Sequence, residues 1–257
     1  MYPHKVIITR PIAQARDFAE KVRRIGAEAI LFPLIDIRAL EDQREIAKEA
    51  DALDQFSLVV FVSPNAIDAF MPHVTNWPPS LTIAVMGSGS RHALVRYGLT
   101  EQNTRIVSPA NTLKTDSETL LEVLDTDALA GKKVLIVRGN GGREFLSDAL
   151  RSAGAEVQLL SSYERMTPDF DGRKQAELMQ LLSVDNRWVI TSSEALRTLV
   201  DWVKQLQSGE FVAKLQHQEI IVPHVRIAET AQRLGFHFIT LTASGDESVL
   251  VALQSLV

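Results

Sequence analysis

Short apolar runs recur along the chain, each followed by a polar stretch or a segment with helical spacing. Lys5–Thr9 is the first run. Pro11 then opens a segment in which Ala15, Phe18, Ala19, Val22 and Ile25 share one helical face. Gly26 ends it in the manner of a left-handed helix cap. Further strand-length runs stand at Ala29–Phe32, Leu58–Val62, Leu81–Val85 and Arg105–Val107. The second half adds Lys133–Val137, Val157–Leu160, Trp188–Ile190, Glu219–Val222 and Phe238–Leu241. Strands alternating with helices predict parallel sheets covered on both faces.

The pattern is duplicated. A shift of 128 residues lays Lys5–Arg38 on Lys133–Met166 without a gap and pairs identical residues at nine positions: Lys5/Lys133, Val6/Val134, Ile8/Ile136, Arg10/Arg138, Arg23/Arg151, Gly26/Gly154, Ala27/Ala155, Glu28/Glu156 and Leu31/Leu159. Chance gives roughly two. The likeness continues from Phe61-Val62-Ser63 to Ile190-Thr191-Ser192 and from Ile83–Gly98 to Ile220–Gly235. Two copies of one unit meet near Gly131. The expected fold class is α/β, with two similar doubly wound parallel-sheet domains. The charged segments Glu41–Asp54 and Thr167–Val184 are linker candidates. Both topologies, with the first two strands kept in their own copy or passed to the other, give the same local pattern.

Composition narrows the chemistry. At 257 residues, 46% hydrophobic and 23% charged, the chain is that of a globular protein with a sizeable core. The absence of cysteine removes disulfides, thiolate metal sites and cysteine nucleophiles. A net charge of −5 gives no basic footprint for nucleic acid. No apolar run approaches a membrane span, and Met1–Lys5 runs into a strand pattern without a signal-peptide profile. A cytoplasmic protein is expected.

Open α/β sheets bind ligands at the carboxyl ends of their strands, and here several turns there share a chemistry. Ser63-Pro64-Asn65 has an N-cap serine with proline at the first helical position. Thr191-Ser192-Ser193-Glu194 has capping-box spacing from Thr191 to Glu194. Gly87-Ser88-Gly89-Ser90 and Gly139-Asn140-Gly141-Gly142 each follow a strand and precede a helix. Such turns expose backbone N–H groups to anions. Taken singly each is a well-capped helix; four together suit a large polyanion. Dinucleotide motifs fail, because His92 and Glu144 stand where a third glycine is required. No histidine pair has metal-ligand spacing, and His224 reads as a turn or cap residue. No nucleophile elbow appears. Tyr163 breaks the internal symmetry, since its counterpart is Ile35. Its phenol is either a buried group with one partner or a mark of chemistry.

Several of these stretches resemble the uroporphyrinogen-III synthase family. They are Thr9-Arg10-Pro11, the Gly26-Ala27-Glu28 turn with Pro33, Phe61-Val62-Ser63-Pro64-Asn65-Ala66 and Val85-Met86-Gly87-Ser88-Gly89-Ser90. Ser108-Pro109 followed by Ser117-Glu118-Thr119-Leu120-Leu121, Tyr163-Glu164-Arg165, and Val222-Pro223-His224-Val225-Arg226-Ile227-Ala228 followed by Gly235-Phe236 complete the set. Their order and spacing, across essentially the whole chain, carry the resemblance.

The resemblance implies two α/β domains joined by a two-strand linker, domain 1 being residues 1–36 plus 168–257 and domain 2 residues 37–167. It implies closure of the linear tetrapyrrole hydroxymethylbilane to uroporphyrinogen III, with loss of water and inversion of ring D, and with no metal or organic cofactor. Tyr163 would occupy the family's tyrosine position; a phenol stays protonated at neutral pH and can assist departure of the ring A hydroxyl. The substrate carries eight carboxylates. The expected contacts are Arg10, Pro11, Ser63, Pro64, Asn65, Gly87, Ser88, Ser90, Arg138, Gly139, Asn140, Ser192, Ser193, His224 and Arg226. Ser90 stands where family members carry threonine, and Val225-Arg226 replaces the matching turn of copy two. That leaves His224 or Arg226 to substitute for the missing hydroxyl. A monomer is the expected state, without nucleic acid or membrane. A transient contact with hydroxymethylbilane synthase is the protein partner that an unstable substrate suggests. The competing reading is a non-catalytic two-domain binder of a polyanionic small ligand.

Overall fold

The structure, a computed structural model, describes residues 5–109, 116–141 and 144–255. Gly142 of the glycine-rich turn therefore lies outside the described residues. In chain order the first elements are β1 (Lys5–Ile8), α1 (Ile12–Arg24), β2 (Glu28–Leu31), β3 (Asp36–Ala39), α2 (Arg44–Asp51), β4 (Leu58–Phe61), α3 (Pro64–Phe70), β5 (Thr82–Val85), α4 (Ser88–Arg96) and β6 (Ile106–Val107). Next come α5 (Ser117–Leu121), β7 (Lys133–Gly139), α6 (Phe145–Ser152), β8 (Glu156–Met166), α7 (Gly172–Leu182), β9 (Arg187–Val189) and α8 (Ser193–Gln205). The last are α9 (Gly209–Gln216), β10 (Glu219–Val222), α10 (Val225–Arg233), β11 (Phe238–Leu241) and α11 (Asp246–Ser255). No helix among the described residues is long and apolar enough to cross a membrane.

The strands form two sheets, ordered β11-β10-β9-β1-β2 and β3-β8-β7-β4-β5-β6. Matching the repeat to these orders shows an exchange. Copy one's β1-α1-β2 joins copy two's β9, β10 and β11, while copy two's β7-α6-β8 joins copy one's β4, β5 and β6. The pairings β1–β9 and β4–β7 that seal the exchange are parallel, with Val6 opposite Arg187 and Leu58 opposite Val134. Two compact units result, residues 1–36 with 166–257, and residues 37–165.

Strand alternation supplies each core. In the second unit Val59, Phe61, Ile83, Val85, Leu135 and Val137 face the cluster that takes in Ile46, Ile67, Phe70 and Leu94. Their neighbours Leu58, Val60, Ala84, Val134 and Ile136 face the other way, onto Leu120, Leu146 and Leu150. Period-2 side-chain direction lets one buried strand feed both layers. In the first unit Val6, Ile8, Val189 and Ile221 pack on Phe18 and Val22 of α1 and on Val249 and Leu253 of α11. Phe32 stands edge-on to Trp188 and Trp202, with ring centroids 6.1 and 5.9 Å away. Gly26 and Gly154, equivalent in the repeat, follow α1 and α6 at φ +87° and +88°. That left-handed conformation suits glycine.

Both linker candidates are corrected. The segment Glu41–Asp54 contains α2, which buries Ile46 and Ala50. The segment Thr167–Val184 contains α7, which buries Leu178, Leu181 and Leu182 and is capped by Asp171, whose carboxylate accepts from Lys174 N–H at 2.8 Å. Most of the charges in these segments stay exposed while the sparse apolar residues are buried, although α2 also buries Glu49. The short strand β3 was not legible as an apolar run, since Asp36 and Arg38 interrupt it.

Candidate functional site

The carboxyl ends of the second unit's strands bring together Ser63, Gly139 and Tyr163. Ser63 follows β4 and caps α3: its Oγ accepts the Ala66 N–H at 3.2 Å, with Pro64 in the first helical turn. On β8, Arg138 pairs with Ser161 but Gly139 pairs with Tyr163, so Ser162 is an extra residue in the ladder. Its hydroxyl donates to Arg138 C=O at 3.2 Å. The slip reverses the parity of the strand. Leu160 and Tyr163, an odd number apart, both join the cluster of Phe61 and Val137. Without the bulge their side chains would point to opposite faces.

Tyr163 is 2% exposed. Its Oη lies 2.9 Å from Ser63 Oγ, a hydrogen bond in which either hydroxyl can donate. The ring lies against Gly139, where an added Cβ would sit 2.7 Å from Cε2 and 2.8 Å from Cζ. Glycine is required there for close approach. Asn140 continues the seam: its N–H donates to Tyr163 C=O at 3.0 Å, and its Oδ1 accepts from Arg165 N–H at 2.7 Å.

Beside the phenol lies a cavity of about 150 Å³, lined in part by Ser117, Arg138, Gly139, Ser147, Tyr163 and Arg165. The Arg138 side chain is buried. It donates to Glu144 at 2.9 Å and through Nε and Nη2 to Gly141 C=O. Ser147 Oγ donates to Glu144 Oε2 at 3.0 Å. The Ser147 hydrogen bond, and after it the Arg138 hydrogen bond, hold the Glu144 carboxyl below its ordinary pKa.

Other expected site residues are placed as follows. Gly87 is the N-cap of α4, with Ser88 exposed in its first turn. Ser90 on the same helix is 3% exposed. Asn65 and Pro64 are half-buried at the start of α3. In the first unit Pro11 precedes α1, and Arg10 pairs with Asp246 at 2.5 Å while its guanidinium lies 4.4 Å over the Phe18 ring. Arg10 and Arg138, equivalent in the repeat, therefore each face a carboxylate of the same chain. The cap of α8 is Ser192, whose Oγ accepts from Glu194 N–H at 3.2 Å; the expected Thr191 box is shifted by one residue. Ser193 Oγ accepts from Thr230 at 3.3 Å. His224 caps α10, with Nδ1 accepting from Arg226 N–H at 3.1 Å, and the Arg226 side chain is exposed.

The glycine-rich stretch after β7 precedes α6, which begins at Phe145 with Glu144 as N-cap. Within it the Asn140 N–H donates to Tyr163 on β8 and the Gly141 carbonyl accepts from Arg138. Ser117, Ser147 and Arg165 line the cavity without having been singled out as site residues. Ser147 lies within a helix, and nothing in its local sequence signals that it faces a cavity. Among the described residues no group of three potential metal ligands occurs.

The sequence pattern of the family described as uroporphyrinogen-III synthase HemD matches residues 16–244. A uroporphyrinogen-III synthase of Escherichia coli is 29% identical over 254 residues, covering 97% of this chain and 99% of that protein. One of Salmonella typhimurium is 28% identical over 261 residues, with coverage of 97% and 99%. A solved structure of a variant uroporphyrinogen III synthase from Thermus thermophilus superposes with a TM-score of 0.63 at 16% identity, covering 98% of each chain. The Helicobacter pylori uroporphyrinogen-III synthetase gives 0.57 at 13% identity, covering 99% of this chain and 100% of that one.

Proposed function

Because the chain belongs to the uroporphyrinogen-III synthase family, we propose that it closes hydroxymethylbilane to uroporphyrinogen III with the Tyr163–Ser63 hydroxyl pair as its proton source. The activity is that of a cyclising lyase in tetrapyrrole biosynthesis. The observation that carries the reading is the 2.9 Å contact between the two hydroxyls at a strand end. Each unit offers capped helix starts. Those of α4, α8 and α10 expose amides and hydroxyls that suit carboxylate arms without a basic protein. Gly87, Ser88, Ser192, Ser193, His224 and Arg226 are the proposed contacts.

Three demands follow from the chemistry. The ring A hydroxyl leaves as water, which a positioned neutral acid assists. The bilane is curled so that the ring A carbon meets the substituted carbon of ring D, which is chiefly a matter of proximity. Attack there gives a spiro intermediate that fragments and recloses with ring D reversed, ahead of the direct closure to the type I isomer. We place the working form as a cytoplasmic monomer that receives its substrate through transient contact with hydroxymethylbilane synthase.

The test supplies freshly made hydroxymethylbilane and resolves type III from type I porphyrin after oxidation. Excess type III is expected from the wild type. Tyr163→Phe is expected to fold but to lower turnover, and full activity in that variant removes the acid role. A non-catalytic clamp for a polyanion would use the same turns, but it has no use for a proton donor at position 163.

A further inference from the structure

We propose that Ser63 Oγ is the atom that touches the departing hydroxyl, and that Tyr163 is a positioning residue acting through it. This rests on the reading above and assigns the order within the pair.

The geometry separates the two hydroxyls. Tyr163 is 2% exposed and packed in a core cluster with Phe61, Val137 and Leu160. The cavity at its flank is about 150 Å³, and the tyrosine itself is buried. Ser63 is partly exposed at the carboxyl end of β4. A serine oxygen accepts twice and donates once. One lone pair takes the Ala66 N–H at 3.2 Å, and at 2.9 Å either hydroxyl of the Ser63–Tyr163 pair can donate. The relay uses the arrangement in which Tyr163 donates, which leaves the serine proton free for the departing hydroxyl.

The step balances. The ring A carbon–oxygen bond breaks with its electron pair on oxygen, and the departing hydroxide takes the Ser63 proton and leaves as water. Ser63 takes the Tyr163 proton in the same movement, leaving a phenolate. The cation on ring A is attacked by ring D, and the proton released when the macrocycle forms restores Tyr163 through Ser63. Nothing but water is lost.

A double-mutant cycle tests the order. Ser63→Ala and Tyr163→Phe are each expected to lower kcat by about 10- to 100-fold, at or below the low end of general-acid effects, with KM within about twofold of wild type. Two residues acting in series are not additive, so the double variant should be no slower than Ser63→Ala alone. Ser63→Thr keeps both hydroxyl and cap and should restore most of the turnover. Ser63→Gly keeps the cap nearly intact and should stay slow, which separates lost chemistry from fraying of α3. If Ser63→Ala keeps wild-type kcat while Tyr163→Phe falls, or if the double variant loses the product of the two single effects, the relay is wrong and the phenol acts by itself. The family reading survives either outcome; it fails only if the wild type makes no excess of type III isomer.

Discussion

Gly139→Ala is the sharpest probe of how the phenol is held. The new Cβ would lie 2.7 Å from Tyr163 Cε2, 2.8 Å from Cζ and 3.2 Å from Oη, whereas ordinary contact begins near 3.4 Å. The ring edge must therefore retreat by about 0.7 Å, or the bulged strand must open. Overpacking of this kind costs about 1–3 kcal/mol. Losing the Ser63 hydrogen bond adds roughly 0.5–1.5 kcal/mol, because the move can stretch a 2.9 Å contact beyond bonding range. At about 4 °C per kcal/mol for a unit of this size, the melting transition of residues 37–165 should fall by roughly 6–18 °C. Turnover should drop as well, since displacements near 1 Å cost up to about 100-fold. Thermal denaturation followed by near-ultraviolet circular dichroism reports the first effect, and formation of type III porphyrin the second. Gly139→Ala combined with Tyr163→Leu should lose less stability than the two changes summed, because the smaller side chain makes room for the methyl group. A Gly139→Ala protein with unchanged melting and turnover would refute the packing argument.

Other expectations follow from particular contacts. The Glu144 carboxyl is held below its ordinary pKa, so the stabilisation it gives the turn is present above the unfolded value, near 4.5, and disappears as pH falls through the lower folded value. Melting temperatures of wild type and Glu144→Gln should differ slightly at neutral pH and converge in acid; a gap that persists undiminished at low pH contradicts that stabilisation. Asp171→Ala should destabilise the first unit by about 0.5–2 kcal/mol while Asp171→Asn stays near neutral, because both carboxylate and amide oxygens cap α7. Urea titration would show it, and equal losses in the two variants would argue against the cap. Trp188→Ala removes a fully buried ring next to Phe32 and should cost about 3–5 kcal/mol; hydrogen exchange that leaves β1 and β9 as protected as in wild type would contradict this.

Much of the architecture is written locally. The apolar runs of β1, β4, β10 and β11 and the amphipathic spacing of α1 could be read directly, because burial against a sheet demands periods of 2 or about 3.6 and little else satisfies them. The duplication was visible for the same reason: equivalent strands need equivalent side chains. Caps at Ser63 and His224 follow from residue type at a strand end. Two amphipathic helices, α2 and α7, were hidden by charge, since each buries only a few apolar residues beneath a polar face.

The choice of partners belongs to the tertiary structure. Whether β1 pairs with β4 or with β9 leaves no local mark, because either neighbour offers the same parallel apolar ladder; only the assembled sheets show that the two copies have traded their first strand–helix–strand. The site depends on a similar non-local decision. Tyr163 reaches Ser63, 100 residues away in sequence, because one extra residue, Ser162, reverses the alternation of β8 and because Gly139 leaves the ring a place to lie. Alternation is a property of a single strand and can be read from it. A bulge exists only relative to the strand beside it, so the composition of β8 could mark the tyrosine as unusual but could not say which face it would take.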